Sequence, residues 1–327
     1  MNKFFFIFLF TLVSSNVDSD TLLFQEFKKF ITKYDKKYSS IKEFLARFEV
    51  FKRNVISSLQ EQEETPYEIG ITQFSDLTQQ EFTKIYLNLE YNALDAYNFN
   101  PYTLKELNAA PASWDWRQKG YVGNVKNQNP CGGCWAFASV ANLEGLYYKK
   151  KRKFVSLSEQ MLIDCDYIDK ACSGGNSERA FSWLQINGGI MTEADYPYKA
   201  QKETCKSVRS KYVDMKVTGY NRLGSTNENE IKEFLYQTGP LSIAVNSQHL
   251  QNYKSGILDK TSAQCSPDNL NHAVTLVGYG HDNASNKDYW IIKNSWGTSW
   301  GEKGYFRIKR GSGTCGVNKH VVTAVIS

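Results

Sequence analysis

Histidine and proline are scarce in this chain, 4 and 7 among 327 residues, and no cysteine occurs before position 131. With 22 glycines beside those prolines, the chain is neither collagen-like nor linker-dominated. Neither sign of charge is in large excess: 39 basic and 34 acidic residues leave a net +5. That is a weak field beside the clustered basic stripes of nucleic-acid binders, so no nucleic-acid partner is expected. Aromatic residues at 14% are too frequent for disorder at this net charge. Beyond the first fifteen residues nothing approaches the ~18 uninterrupted apolar residues of a membrane span, so no membrane association is expected. The length suits roughly two domains.

What is present begins with an export address. Met1-Asn2-Lys3 leads the apolar run Phe4 to Val13, followed by Ser14, Ser15 and Asn16. The run is too short to cross a bilayer, and Val13-Ser14-Ser15 has the small-residue pattern of a signal-peptidase site. A signal peptide over 1–15 and a secretory mature chain are expected. Export puts the seven cysteines, Cys131, Cys134, Cys165, Cys172, Cys205, Cys265 and Cys315, in an oxidising compartment. Three pairs leave one thiol over: an intermolecular partner, an accident, or a group kept free for chemistry.

The cysteine-free first part is helical and charged to about residue 87. Apolar residues at 44, 45, 48, 51 and 55 follow amphipathic-helix spacing. Gly70 to Asp76 alternates like a short strand, Leu77 to Phe82 resembles a capped helix start, and 88–110 reads as an extended connector. Charge splits there: 16–109 carries 11 basic and 15 acidic residues, whereas 110–327 carries 27 basic and 19 acidic. An acidic segment ahead of a basic domain suggests electrostatic complementarity.

The chemistry is concentrated in Asn127 to Phe137, where Gly132 and Gly133 make a tight turn and a helix follows from Trp135 to Tyr148. Cys134 at that helix start faces unsatisfied N–H groups and the positive macrodipole end, which favour a thiolate. On this segment alone Cys134 could equally be one more disulfide half. A rival from another class is a thiol-disulfide oxidoreductase using Cys131-Gly-Gly-Cys134, although the turn-rich stretch upstream does not supply the strand that motif requires. A nucleophilic thiolate wants an imidazolium and a group to orient it. His272 opens an apolar strand, and Asn294 ends a second strand amid aromatic residues.

The chain resembles the papain family of cysteine proteases, its cathepsin L-like branch, over essentially all of its length after the signal. Gln128, Cys134-Trp135-Ala136-Phe137, Cys172-Ser173-Gly174-Gly175, Asn271-His272-Ala273 and Asn294-Ser295-Trp296-Gly297 occur in the family's order. Glu43, Arg47, Phe51 and Asn54 fit the helix motif of the family's inhibitory propeptide, and Gly70, Thr72, Phe74 and Asp76 fit its second motif. Gly133, Asn129-Pro130, Ser58 and Gln62 depart from the pattern. With no paired-His insertion before His272, an endopeptidase is expected rather than a carboxydipeptidase. A proteolytically silent binding or storage member is the strongest alternative outside enzymes, but such members usually lose the Cys or the His.

The resemblance implies an α+β fold: a helical left lobe carrying Cys134 and a β-barrel-like right lobe carrying His272 and Asn294, preceded by a helical propeptide. Its domains would be 1–15 signal peptide, 16–109 inhibitory propeptide and 110–327 peptidase. Independently of it, Ser156 with Glu159 and Asn227 with Glu230 mark helix starts, and strands are expected at 241–245, 272–277, 289–293, 305–309 and 321–326. The implied catalytic set is Cys134, His272, Asn294 and Gln128, with Trp296 shielding the His272–Asn294 hydrogen bond. Gly175 would pair its backbone with an extended substrate. Asn176, Ser177, Ala244, Leu270, Asn271, Ala273 and His320 would line the substrate site, a charged His320 rewarding acidic side chains in acid. The implied disulfides are Cys131–Cys172, Cys165–Cys205 and Cys265–Cys315. No cofactor or metal is expected. Protein and peptide substrates and the chain's own propeptide are the expected partners of a monomer in the secretory pathway, ending in a lysosome-like or vacuolar compartment or outside the cell. Acid would protonate Asp76 and the Glu61, Glu63 and Glu64 cluster, loosen the propeptide and allow cleavage near Ala109-Ala110. Asn283-Ala284-Ser285 is a glycosylation sequon on a polar loop.

Overall fold

The computed structural model describes residues 19–90, 102, 104 and 109–327; the expected signal peptide and most of the connector lie outside these. Two helices open it, α1 (Ser19–Lys33) and α2 (Ile41–Glu64). Their apolar faces meet through Phe27, Phe30, Phe51, Val55 and Leu59, as amphipathic spacing requires. The departures at Ser58 and Gln62 fit the fold. Ser58 is buried, and the Gln62 amide donates to the Tyr67 carbonyl and accepts from the Ile69 N–H, both at 2.9 Å, turning the chain into β1 (Glu68–Ile69).

The strand expected over Gly70–Asp76 is not there; only β1 is extended. The Phe74 N–H bonds to Thr72 Oγ1 at 3.2 Å and the Thr72 N–H to Ser75 Oγ at 3.0 Å. Hydroxyls offering local partners curl the backbone into turns despite its alternating pattern. Thr78 then caps α3 (Gln79–Tyr86) in a full capping box with Glu81. Arg47 reaches both Glu81 oxygens at 2.8 and 2.9 Å, and Asn54 donates to the carbonyls of Ser75 and Leu77. Two residues of the propeptide helix motif therefore tie α2 to the segment leading into α3.

After β2 (Trp114–Asp115) come α4 (Cys134–Lys151), α5 (Glu159–Cys165) and α6 (Ser177–Asn187), packed through Trp135, Leu143, Met161, Phe181 and Trp183. Next are β3 (Val217–Arg222), α7 (Glu228–Thr238), β4 (Leu241–Val245), β5 (Tyr253–Ser255), β6 (Ile257–Leu258), β7 (His272–Asp282), β8 (Lys287–Lys293), β9 (Tyr305–Lys309) and β10 (Val321–Ile326). One sheet runs β3-β10-β4-β7-β8-β9-β6 with β2 added to β7, antiparallel except between β6 and β9. Three helices, α4 to α6, build one lobe, and most of the sheet with α7 builds the other, which bears out the α+β expectation. β2, β3, β5 and β6 lie outside the expected strands: Val217 to Arg222 alternates poorly, and the other three are only two or three residues long. Nor is Ser156 the cap of α5. Ser158 is, accepting from the Met161 N–H at 3.0 Å, because Glu159 turns its carboxylate to Lys126 instead of back to a capping N–H. Disulfides join Cys131 to Cys172 and Cys165 to Cys205 in the helical lobe, and Cys265 to Cys315 in the other; Cys134 is free. Among the described residues no helix is long and apolar enough to cross a membrane, and no cluster of His, Cys, Asp and Glu could hold a metal.

A buried charge cluster sits behind the junction of the lobes. Lys126 Nζ meets Glu159 at 2.8 Å, Glu144 at 3.2 Å and the Leu157 carbonyl at 2.8 Å, and shares a small cavity with Lys293, Asn294 and Ser295. Burial alone would lower Lys126, but Glu159 and Glu144 hold it above its ordinary value. Lys126→Met would strand both carboxylates, so it is expected to destabilise the chain by about 3–5 kcal/mol in urea unfolding. The triple variant with Glu144→Gln and Glu159→Gln should recover much of the loss.

Candidate active site

Cys134 is the first residue of α4, preceded by an N-cap glycine that offers no side-chain bond. Orphan N–H groups therefore bear on the sulfur. They do not win. Burial pushes the Cys134 thiol up to about 11, against the backbone N–H groups of Ala273, Asn88 and Trp135. The β7–β8 register, Thr275 opposite Lys293, brings Asn294 towards the start of β7, where His272 stands. His272 Nε2 lies 2.9 Å from Asn294 Oδ1, which also accepts the Ser295 N–H at 2.8 Å. An oxygen in that acceptor role assigns the proton to Nε2 and leaves Nδ1 as the basic nitrogen, which has no well-aligned hydrogen bond but faces the Tyr86 carbonyl. The Trp296 ring stacks on the imidazole with centroids 4.8 Å apart. Burial pulls His272 down to about 4, while Asn294 and the Tyr86 carbonyl favour its charged form. In this covered state burial disfavours the charged form of both the thiol and the imidazole, against the ion pair that a helix start alone suggests.

Gln128 is oriented from behind. Its Oε1 accepts from Ser295 Oγ at 2.7 Å and from Trp296 Nε1 at 3.1 Å, so Nε2 donates forward, to the Cys131 carbonyl at 2.9 Å and the Tyr86 carbonyl at 3.3 Å. Ser295 thus holds both Gln128 and Asn294. In the sequence the one signal for this role of Ser295 is its position between Asn294 and Trp296.

The cover is the chain's own segment 86–90. Leu89 forms a parallel bridge with Gly175: the Glu90 N–H bonds to the Gly175 carbonyl at 3.0 Å and the Gly175 N–H to the Asn88 carbonyl at 3.4 Å. The Leu89 N–H bonds to the Asn271 carbonyl at 3.2 Å, and its side chain packs against Cys134, Ala138 and Ala273. Phe74 and Phe82 set their rings edge-on to Trp296 at 5.2 and 5.3 Å. Glu90 pairs with Lys170 and Arg179, and Glu61 with Lys260 and His249.

The remaining expected residues divide. Gly175 and Asn271 present backbone to the cleft, but a Cβ on Gly175 would meet Trp135 at 2.7 Å and Asp169 at 2.8 Å. Its glycine is therefore demanded by the helical lobe and not by substrate approach. Asn176 caps α6 through its Oδ1 and reaches the Glu90 carbonyl with Nδ2 at 3.3 Å. Ala244 pairs with Ala273 across β4 and β7, and Leu270 is buried beside Gly316. Ser177 is not presented to the cleft: its hydroxyl meets Ser242 Oγ at 2.7 Å inside. His320, 4% exposed, neither stands free in a pocket nor turns to solvent; its Nε2 lies 3.5 Å from Glu178 Oε1, which Arg222 also faces at 3.5 Å. Asn283 is exposed between β7 and β8.

Comparison with known proteins agrees with this geometry. Residues 110–325 match the papain family cysteine protease model, and 27–82 match the cathepsin propeptide inhibitor domain (I29). The chain is 44% identical to cathepsin F of Mus musculus over 304 residues, covering 92% of this chain but only 64% of that protein. It is 37% identical to cysteine proteinase 1 of Dictyostelium discoideum, covering 92% of each. Its structure resembles that of the digestive procathepsin L2 proteinase from Tenebrio molitor larval midgut with a TM-score of 0.86 at 31% identity, over 93% of this chain and 99% of that one. A cysteine at a helix start, a histidine opening β7 and an asparagine just after β8, and an inhibitor domain laid across them are thus parts of one inheritance: the chain belongs to the papain family of cysteine proteases.

Proposed function

We propose that the chain is the zymogen of a cysteine endopeptidase, with 1–15 a signal peptide, 16–109 the inhibitor and 110–327 the enzyme, acting in a lysosome-like or vacuolar compartment or outside the cell. The observation that carries this is the Tyr86 carbonyl, which lies at Gln128 Nε2 and beside His272. A carbonyl there occupies the position of a scissile one. Once the cover leaves, water returns, and the helix start and the ring can settle into a Cys134 thiolate and His272 imidazolium. The thiolate attacks the substrate carbonyl, while Gln128 Nε2 and the Cys134 N–H take the oxyanion. His272 protonates the leaving amine and then draws a proton from the deacylating water; Asn294 holds the ring. The test is the rate of Cys134 alkylation by iodoacetamide at pH 6. It is expected to be at least ~100-fold faster after processing than in the proform, and equal rates would refute the reading.

Acid release follows from the ion pairs at the cover. Burial opposes it, yet Lys170 and Arg179 hold Glu90 below the usual carboxylate range. A depressed carboxylate stabilises the closed form above its free value near ~4.3, and loses that contribution as pH falls through the lowered one. Glu61 is held at about 2, chiefly by His249, so it stays ionised at pH 4 and is not the trigger expected of it. Asp76 lies inside the propeptide against Lys36 and Tyr38, and Glu63 and Glu64 are exposed. Glu90 is the carboxylate at the cleft, and Glu90→Gln should move the activation midpoint to higher pH in a processing assay.

For specificity, the apolar pocket around Ala244, Leu270 and Ala273 should take leucine or phenylalanine. Because Glu178 already faces His320, the kcat/KM ratio of Glu to Leu peptides at the second residue before the cut should change less than about threefold between pH 5 and 7.5.

A further inference from the structure

The middle of α7 carries a buried carboxylate placed at the junction of propeptide and enzyme. Glu233 is 3% exposed. Its oxygens accept the Ala109 N–H at 3.0 Å and the Ala110 N–H at 3.1 and 3.0 Å, and no cation lies within ion-pair distance among the described residues. Its partners among the described residues are thus backbone N–H groups, which answer the carboxylate's hydrogen bonds but supply no countercharge. The chain just beyond is fixed by other means. Tyr279 donates to the Pro111 carbonyl at 3.0 Å, Trp114 pairs with Tyr279 across β2 and β7, and Trp116 Nε1 donates to the Leu235 carbonyl at 3.0 Å. Ala110 itself packs on the right-lobe core, whereas Ala109 is exposed.

We propose that Glu233 is a preformed receptor for the α-ammonium group of Ala110, so that cleavage of the Ala109–Ala110 bond completes a buried ion pair fastening the mature N-terminus to the right lobe. In that hydrolysis the C–N bond breaks. The oxygen of water joins the Ala109 carbon, which leaves as a carboxylate, and both of its protons end on the Ala110 nitrogen as –NH3+. The anchors at Pro111, Trp114 and Trp116 hold that nitrogen where it already sits, against both Glu233 oxygens. The new Ala109 carboxylate, by contrast, finds its former partner repelling it, which drives the propeptide end outward. One neutral contact becomes an attraction on the retained side of the cut and a repulsion on the released side.

This rests on the zymogen reading, and the experiment separates the two. Wild-type and Glu233→Gln proforms are processed in acid and blocked at Cys134 with iodoacetamide, then N-terminally sequenced and melted in proform and mature states. Glutamine keeps an acceptor for the amide N–H but cannot form the ion pair. The expected result is an Ala110 terminus, a Tm shift under about 2 °C in the proform, and a loss of about 5 °C or more in the mature enzyme. A wild-type terminus elsewhere overturns the boundary itself. An Ala110 terminus with equal shifts in both states overturns the receptor while leaving the zymogen reading intact. Should the variant fail to fold, wild type suffices. Acetylation of the mature α-amine at pH 7 should run at least ~10-fold slower than that of a free peptide beginning Ala-Pro-Ala, and equal rates would overturn the proposal.

Discussion

Cys134→Ala is expected to lower kcat/KM of the processed enzyme by at least about 10^4-fold while leaving the thermal midpoint within about 3 °C. The two halves follow from different features of one residue. The sulfur is the only free thiol among the described cysteines, so nothing nearby can replace it as nucleophile. Structurally the position asks little: it is the first residue of α4, wholly buried among Ala138, Ala273 and Leu89, where a methyl group fits and alanine is a good helix former. The variant is cleaved by an immobilised protease that is removed before the assay, and is then tested on a fluorogenic peptide with leucine two residues before the cut. Activity within tenfold of wild type would exclude Cys134 as the nucleophile. Asn294→Ala should fall between the two, since the ring keeps its Trp296 stacking but loses the oxygen that sets its tautomer.

The second large effect concerns inhibition. At pH 7 the intact proform should show less than about 1% of mature activity, and Phe74→Ala should raise that residual activity at least tenfold. Phe74 is buried, edge-on to Trp296 and tilted against Phe82 and Tyr86 at 5.1 and 4.7 Å. Truncating such a ring costs about 3–5 kcal/mol. If even half of that is lost from docking rather than from the propeptide's own stability, the released fraction rises by about tenfold or more, at 1.4 kcal/mol per decade. Gln73 offers a control of smaller size, since its bonds to the Trp296 carbonyl and Ser299 are polar and lie at the rim. A Phe74→Ala proform as silent as wild type would show that the aromatic anchor is not what keeps the segment 86–90 in place.

Local signals in the sequence were read well where neighbours in the chain supply the physics. Thr78 and Asn227 cap the helices they precede, because their partners are two or three residues away. Five of the seven strands after Pro240 follow from β-rich apolar runs, β5 and β6 being too short to show one, and the order of Gln128, Cys134, His272 and Asn294 is legible from motifs. The misreadings share one cause. Gly70–Asp76 has a strand's alternation, but the hydroxyls of Thr72 and Ser75 satisfy its backbone locally. Ser156 has a capping-box spacing, but Glu159 answers Lys126, thirty-three residues away. His320 looked like a free charge until Glu178, far back in the chain, was found beside it.

The sequence by itself therefore determined the chemistry available to this protein: one spare thiol at a helix start, one ring and one amide on strands, an acidic inhibitor ahead of a basic enzyme. Only the tertiary structure decided the state of that chemistry. Charge on Cys134 and His272 depends on whether water reaches them, and water is excluded by the Tyr86 to Glu90 segment, which the fold returns to a cleft whose walls come from Gly175 and Asn271. Desolvation is a property of everything packed around a group, and no run of neighbouring residues encodes it.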